Sequence, residues 1–211
     1  YRHKKSLRHN DPLRKVQEAV MYQAGRPPIM NEEGERKMRE EPLRVFCDAD
    51  FGGDTTMRST TGIVTFLNCG PISWTSQLQK LQALSTTEAE VYAATEAIKD
   101  AAILKVYLQD IGVRADKPIP IHEDNSACVK MATQHLKRFN RARHYVQRVN
   151  FLQEHVWNKT AEMVPTPTEE EVADVLTKPL SFPLYSKFRD ILVSNVYPEH
   201  LPGTHTEAEE R

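Results

Sequence analysis

The chain has only three cysteines, Cys47, Cys69 and Cys128, with no CxxC pair and no Cys/His cluster. A structural zinc site needs such a grouping, so none is expected. Three scattered thiols predict reduced, buried side chains and an intracellular setting. Long apolar runs are also missing. No stretch approaches the roughly 20 residues of a membrane span, and the basic amino end, "RHKKSLRH", lacks the apolar segment of a secretory signal. Nor is one sign of charge in excess. Lys and Arg number 28 against 29 Asp and Glu, a net charge of −1. Any attraction for nucleic acid must therefore come from a local patch. Tyr1 in the place of a start methionine predicts a piece of a longer chain.

What is present is ordinary for a globular domain with extensions: 211 residues, 39% hydrophobic and 27% charged. Three zones follow from patterning. Residues 1–42 are polar, with one short amphipathic stretch, "DPLRKVQEAVMYQAG", where Asp11 can cap, Pro12 can start and Gly25 can end a helix. Residues 43–180 hold the core. Residues 181–211 begin with a weak helical stretch, "LYSKFRDILVSN", and run into a Pro/His/Glu-rich tail expected to be disordered.

Within the middle zone "LRVFCDAD" is apolar on both faces, as a central strand is. "TGIVTFLN" and "PISWTSQ" flank "CG" and read as hairpin strands. A long helix is predicted from Thr86 to Leu108, stopped by Gly112. After it come a short strand in "KPIPIHED", whose prolines make an edge-like entry, a helix in "NSACVKMATQHL", a helix in "ARHYVQRVNFLQEHVWN", a strand in "AEMVPT" and a last helix in "TEEEVADVLT". An antiparallel meander followed by alternating helices and strands implies an α/β fold, a mixed sheet covered by helices.

Several carboxylates recur at strand ends or helix starts: Asp48, with Asp50 on the same strand face, then Asp124, Asp174 and one of the pair Glu88 and Glu90. Helical register separates the pair. Steps of three or four from Glu90 meet Ala94, Ala97, Ala101, Leu104 and Leu108, a small apolar line that packs on a sheet. Steps from Glu88 meet Tyr92, Thr95, Lys99 and Ala102, a more polar line. Glu88 is thus a first-turn acid suited to the helix dipole. Glu90 points inward, where a charge must be paired or ligated. Each acid also has a plainer reading. Asp124 before "NSA" serves equally as a helix N-cap, Asp174 as an exposed acid after "EEE", and Asp48 as a strand-end turn residue.

The blocks "DADFGGDTTMRSTTGIVTFL", "GPISWTSQLQKLQALSTTEAEVYAATEA", "EDNSACVKMA", "RARHYVQRVNFLQEHV" and "VADVLTKPL", in order from Val45 to Leu180, resemble the ribonuclease H domain that closes the Pol polyprotein of copia-type LTR retrotransposons. The resemblance implies a ribonuclease H-like five-stranded mixed sheet, three antiparallel strands followed by two parallel ones, flanked by helices. It also implies an enzyme that hydrolyses the RNA strand of RNA/DNA hybrids with two Mg²⁺ or Mn²⁺ ions. Matched residue by residue, the four catalytic, metal-binding acids are Asp48, Glu90, Asp124 and Asp174. Asp48 would bridge the ions, Glu90 and Asp124 would share one, and Asp174 would serve the other. Hard oxygen ligands suit those cations, and two ions about 4 Å apart would flank the scissile phosphate.

The implied partners are the hybrid and the reverse transcriptase portion of the same polyprotein, and the implied setting is cytoplasmic, in a virus-like particle, or nuclear. The basic run "LKRFNRARHYVQR" supplies Lys137, Arg138, Arg141, Arg143 and Arg148, which can grip phosphate or form a solvated face. His144 is open to three readings: ordering a loop, touching phosphate or packing. Arg58, Ser59 and Asn125 are further candidates for nucleic-acid contact. Trp74 reads as core or platform rather than as a base-stacking group. The pattern departs from the family in three respects. The loop "PTPTEEE" before Asp174 has no histidine, the first forty residues do not closely match the polymerase connection expected upstream, and no YxDD polymerase motif is present. The rival expectation is a catalytically silent remnant that only binds nucleic acid or contacts the polyprotein.

Overall fold

A computed structural model describes residues 43–193 except 54, 69, 114 and 135–142. The expected helix in 1–42, the tail from 194, Cys69, Lys137, Arg138 and Arg141 fall outside the described residues, as do the side chains of Arg143 and His144.

Three strands open the fold: β1 (Leu43–Asp50), β2 (Thr60–Leu67) and β3 (Gly70–Leu78). The long helix α1 (Thr86–Asp110) leads to β4 (Ile119–Glu123), α2 (Ser126–Thr133), α3 (Arg143–Trp157) and β5 (Ala161–Pro165). Two 3₁₀ turns follow, Thr168–Glu170 and Val172–Leu176, and then α4 (Phe182–Val193). The strands form one sheet in the order β3-β2-β1-β4-β5. β1–β2 and β2–β3 are antiparallel, whereas β1–β4 and β4–β5 are parallel. This is the predicted ribonuclease H-like mixed sheet.

β1 is central because both its faces are apolar. Leu43, Val45, Cys47 and Ala49 meet Ile119, Ile121 and the helices α1, α2 and α3 on one side. Phe46 meets Val64, Phe66 and the segment from Val172 to Ile191 on the other. Small residues on α1, Ala93, Ala94, Ala97 and Ala101, are all buried, which lets the helix approach the sheet closely. Ser85 caps α1 by accepting from Glu88 N, and the Glu88 carboxylate accepts in return from Leu84 N. Gly112, at φ 81°, ends the helix where predicted.

β4 lies between β1 and β5. Its pairing with β1 begins at Ile121, beyond Pro120, which has no N–H to donate. The expected last helix is instead two 3₁₀ turns, because Glu171 between them is extended (φ −77°, ψ 92°) and uses its side chain to cap the second. Trp74 is 66% exposed and is not core. The helix beyond residue 180 packs back on the sheet through Phe188 and Ile191.

Candidate metal centre

The carboxyl ends of the parallel strands β1 and β4 meet the start of α1. Asp48, the third residue from the end of β1, is 1% exposed, and Asp124 follows β4 directly. Glu90, one turn into α1, is 5% exposed, while Glu88 is only partly buried. Asp48, Glu90 and Asp124 each offer a carboxylate oxygen, and the three oxygens lie within 4.8 Å of one another. The register reading of Glu90 as the inward acid therefore agrees with the structure.

Asp174 joins the group through a cation. Lys178 Nζ stands 2.8 Å from Asp174 Oδ1 and 3.6 Å from Asp48 Oδ1. Thr177 donates its hydroxyl to Asp48 Oδ2. The short turn Val172–Leu176 can descend this far because Gly62, the β2 partner of Asp48, has no side chain there.

Two more glutamates lie beneath these acids. Glu123 is fully buried; its Oε1 accepts from Asn125 N at 3.0 Å and its Oε2 from the Cys47 thiol at 3.5 Å. Glu171 is fully buried, and its Oε1 accepts from Ala173 N at 3.2 Å. Each fixes the backbone beside an aspartate of the cluster. Sequence reasoning passed over both, since "HED" and "TEEE" look like solvated acid runs. It also passed over Thr177 and Lys178, although the i, i+4 spacing from Asp174 to Lys178 was a usable signal.

Crowding of acids in a dry site has the expected electrostatic result. Burial, then the charges of Glu123 and Asp48, hold the Glu90 carboxyl well above the usual range. Burial, then Glu123, does the same for Glu171. Glu123 is pushed up to about 8, chiefly by burial and against the bond from Asn125 N. Asp174 is pushed up to about 7, again chiefly by burial and against the contact with Lys178. Burial lowers the Lys178 ammonium, but Asp174 and Asp48 more than reverse this and leave it above the ordinary lysine value. Burial also raises the Cys47 and Cys128 thiols, which suits inert structural cysteines.

These residues fit a hard divalent cation. All donors are oxygens; Glu90 Oε2 and Asp174 Oδ2 are buried without a hydrogen bond, and Asp174 Oδ1 faces the Lys178 ammonium. A cation would relieve the mutual repulsion that raises these groups.

The remaining candidates are placed as follows. Asn125, not Asp124, is the N-cap of α2, accepting from Ala127 N and Cys128 N. Asp124 Oδ2 accepts instead from the Thr168 hydroxyl at 2.8 Å. Ser59 is 1% exposed and accepts from Gly52 N. It closes the β1–β2 loop and has no surface to offer a phosphate, which corrects the expectation for it. Arg58 is exposed and donates to the Lys80 carbonyl at 3.0 Å. Arg148 is turned onto α1, over the Tyr92 ring at 3.6 Å and bonded to Glu96 at 3.0 Å. Among the described residues no helix is long and apolar enough to cross a membrane.

No family model matches the chain. It is similar to the retrovirus-related Pol polyprotein from transposon TNT 1-94 of Nicotiana tabacum, 36% identical over 137 residues, which cover 64% of this chain and 10% of that protein. It is also similar to the retrovirus-related Pol polyprotein from transposon RE2 of Arabidopsis thaliana, 31% identical over 158 residues, or 74% of this chain and 11% of that protein. The chain thus spans about a tenth of the length of these relatives. Among solved structures it resembles LC11-RNase H1 in complex with an RNA/DNA hybrid, at a TM-score of 0.49 and 14% identity, covering 64% of this chain and 93% of that one.

Proposed function

Because this chain is homologous to the retrovirus-related Pol polyproteins of plant transposons, we propose that it is their ribonuclease H portion, of copia type. Its activity is metal-dependent hydrolysis of the RNA strand of RNA/DNA hybrids during reverse transcription. The observation that carries this reading is the meeting of Asp48, Glu90 and Asp124, with their oxygens within 4.8 Å, at the ends of β1 and β4. Asp174 lies across Lys178 from Asp48.

In this reading Asp48, Glu90, Asp124 and Asp174 hold two Mg²⁺ or Mn²⁺ ions, with Asp48 common to both. The ions, when bound, supply an activated water and charge stabilisation of the leaving 3′ oxygen. The chain's own groups set the geometry. Thr177 orients Asp48 through Oδ2. Thr168 orients Asp124, and the Asn125 cap anchors the turn that carries it. Glu123 and Glu171 form a buried layer behind the carboxylates and brace the backbone next to Asp124 and Asp174. RNA is distinguished through its 2′-hydroxyls in the minor groove rather than through base sequence. Arg58 and the basic run near α3 offer the charge for phosphate contacts. The reverse transcriptase portion of the same polyprotein is the expected partner in placing the hybrid.

The test is incubation of the folded chain with a labelled RNA/DNA hybrid and, separately, duplex DNA, with Mg²⁺ or Mn²⁺. The proposal expects RNA-strand products ending in 5′-phosphate and 3′-hydroxyl, and intact duplex DNA. Failure to cut the hybrid with either ion supports the binding-only remnant.

A further inference from the structure

Lys178 occupies an unusual place. Its ammonium sits between two aspartates that are each almost wholly buried, 2.8 Å from Asp174 Oδ1 and 3.6 Å from Asp48 Oδ1. The other oxygen of Asp48 is taken by Thr177, the residue just before Lys178. Both contacts come from one turn, pinned where Thr177 N and Lys178 N donate to the Asp174 carbonyl. Glu90 and Asp124 lie on the other side of the problem: with Asp48 they form a compact three-oxygen group that excludes Asp174. The acids therefore divide into two subsites that share Asp48. One presents three carboxylates to a cation from solution. The other already presents its two carboxylates to a cation of the chain.

Two cations cannot share the same pair of carboxylate oxygens at contact distance, since like charges a few ångström apart repel by several kcal/mol even at an intermediate dielectric. The Lys178 side chain is 34% exposed, against 1–2% for its partners. Its four-carbon stem is flexible and gives the ammonium a path outward that the aspartates lack.

We propose that Lys178 is a positioning residue that acts as a built-in competitor for the Asp48–Asp174 subsite. It holds and neutralises that pair, so the first divalent ion binds at Asp48, Glu90 and Asp124, and the second binds only by displacing the ammonium toward solvent. This rests on the reading of the acids as a two-ion site, and it makes occupancy of the second subsite the weak, regulated step. A merely structural salt bridge would affect stability and leave the two ion affinities in their original ratio.

The experiment is Mn²⁺ binding to the full chain without substrate, followed by the electron paramagnetic resonance signal of free Mn²⁺. The wild-type chain is expected to show one tighter and one weaker site. Lys178→Gln should tighten the weaker site by about tenfold or more and leave the tighter one nearly unchanged. Lys178→Arg, which keeps the charge, should leave the weaker site weak. An unchanged weaker site in Lys178→Gln, or equal tightening in Lys178→Arg, overturns the proposal. If Lys178→Gln fails to fold, the wild-type chain still decides the matter. The ¹³Cε resonance of Lys178 should move with the second equivalent of Mg²⁺ and not with the first; a signal that stays still at saturating Mg²⁺ overturns it. Two-site binding with displacement of Lys178 but no cutting of hybrid would sink the nuclease reading alone.

Discussion

Gly62 and Thr177 meet where no side chain on β2 would fit: a Cβ on Gly62 would stand 2.6 Å from Thr177 Cγ2 and 2.8 Å from the Ala173 carbonyl oxygen. Gly62 is also the antiparallel partner of Asp48. The absence of one methyl group thus lets the Val172–Leu176 turn reach the strand end and place Thr177 on Asp48.

Gly62→Ala is therefore expected to push that turn away from the sheet. The obstacle includes backbone, which cannot rotate aside as the tip of a long side chain can. Overpacking of this kind costs about 1–3 kcal/mol. Urea unfolding should show the loss, and hybrid cleavage should fall further than the loss of folded protein explains. An unchanged urea midpoint would show that the turn is not held against Gly62.

The two glutamates of α1 carry opposite expectations. Glu90→Gln removes a buried donor of the three-oxygen group and should lower cleavage at least about a hundredfold, beyond the usual loss for groups one layer outside a metal. Glu88→Gln keeps an oxygen for Leu84 N, so activity should stay near wild type and stability within about 0.5 kcal/mol. The reverse pattern would contradict the assignment.

Stability of the ion-free chain should fall as pH rises. Glu123 is pushed up to about 8 in the fold, whereas an unfolded glutamate titrates near 4.3. Below the unfolded value the group is protonated in both states and carries no penalty. Between the two values the unfolded chain has released its proton and the folded chain still holds it, so the penalty grows with pH. It is complete above about 8. Glu123→Gln should flatten this slope between about pH 5 and 8, read as Tm against pH, while keeping an oxygen for Asn125 N. A slope as steep in the variant as in the wild type would assign the pH dependence elsewhere.

Much of this architecture was legible in residue patterns. The doubly apolar "LRVFCDAD" marked β1 as central, and the Ala94–Ala97–Ala101 line identified Glu90 as inward. Both signals arise from burial, which leaves a period in sequence. The role of Glu171 was not legible, because a buried glutamate and a solvated one look alike within "TEEE". The Asp124 ambiguity was settled by neighbour geometry, since Asn125 rather than Asp124 turns its oxygen to Ala127 N and Cys128 N. Ser59 failed for the same reason: a hydroxyl in a polar loop reads as surface until the loop folds over it. The link from Lys178 to Asp48 joins positions about 130 apart, a pairing that local spacing cannot encode.

The central claim, that these carboxylates are a hydrolytic metal centre, is tested most directly by measuring cleavage and binding of one labelled RNA/DNA hybrid by the wild-type chain and Asp48→Asn side by side in Mg²⁺. The wild type should cut the RNA strand. Asp48→Asn should cut none of it while binding the hybrid with measurable affinity, since the amide keeps the side chain's shape and loses its charge. Equal cleavage by both proteins, or none by a folded wild type in either Mg²⁺ or Mn²⁺, would contradict the account.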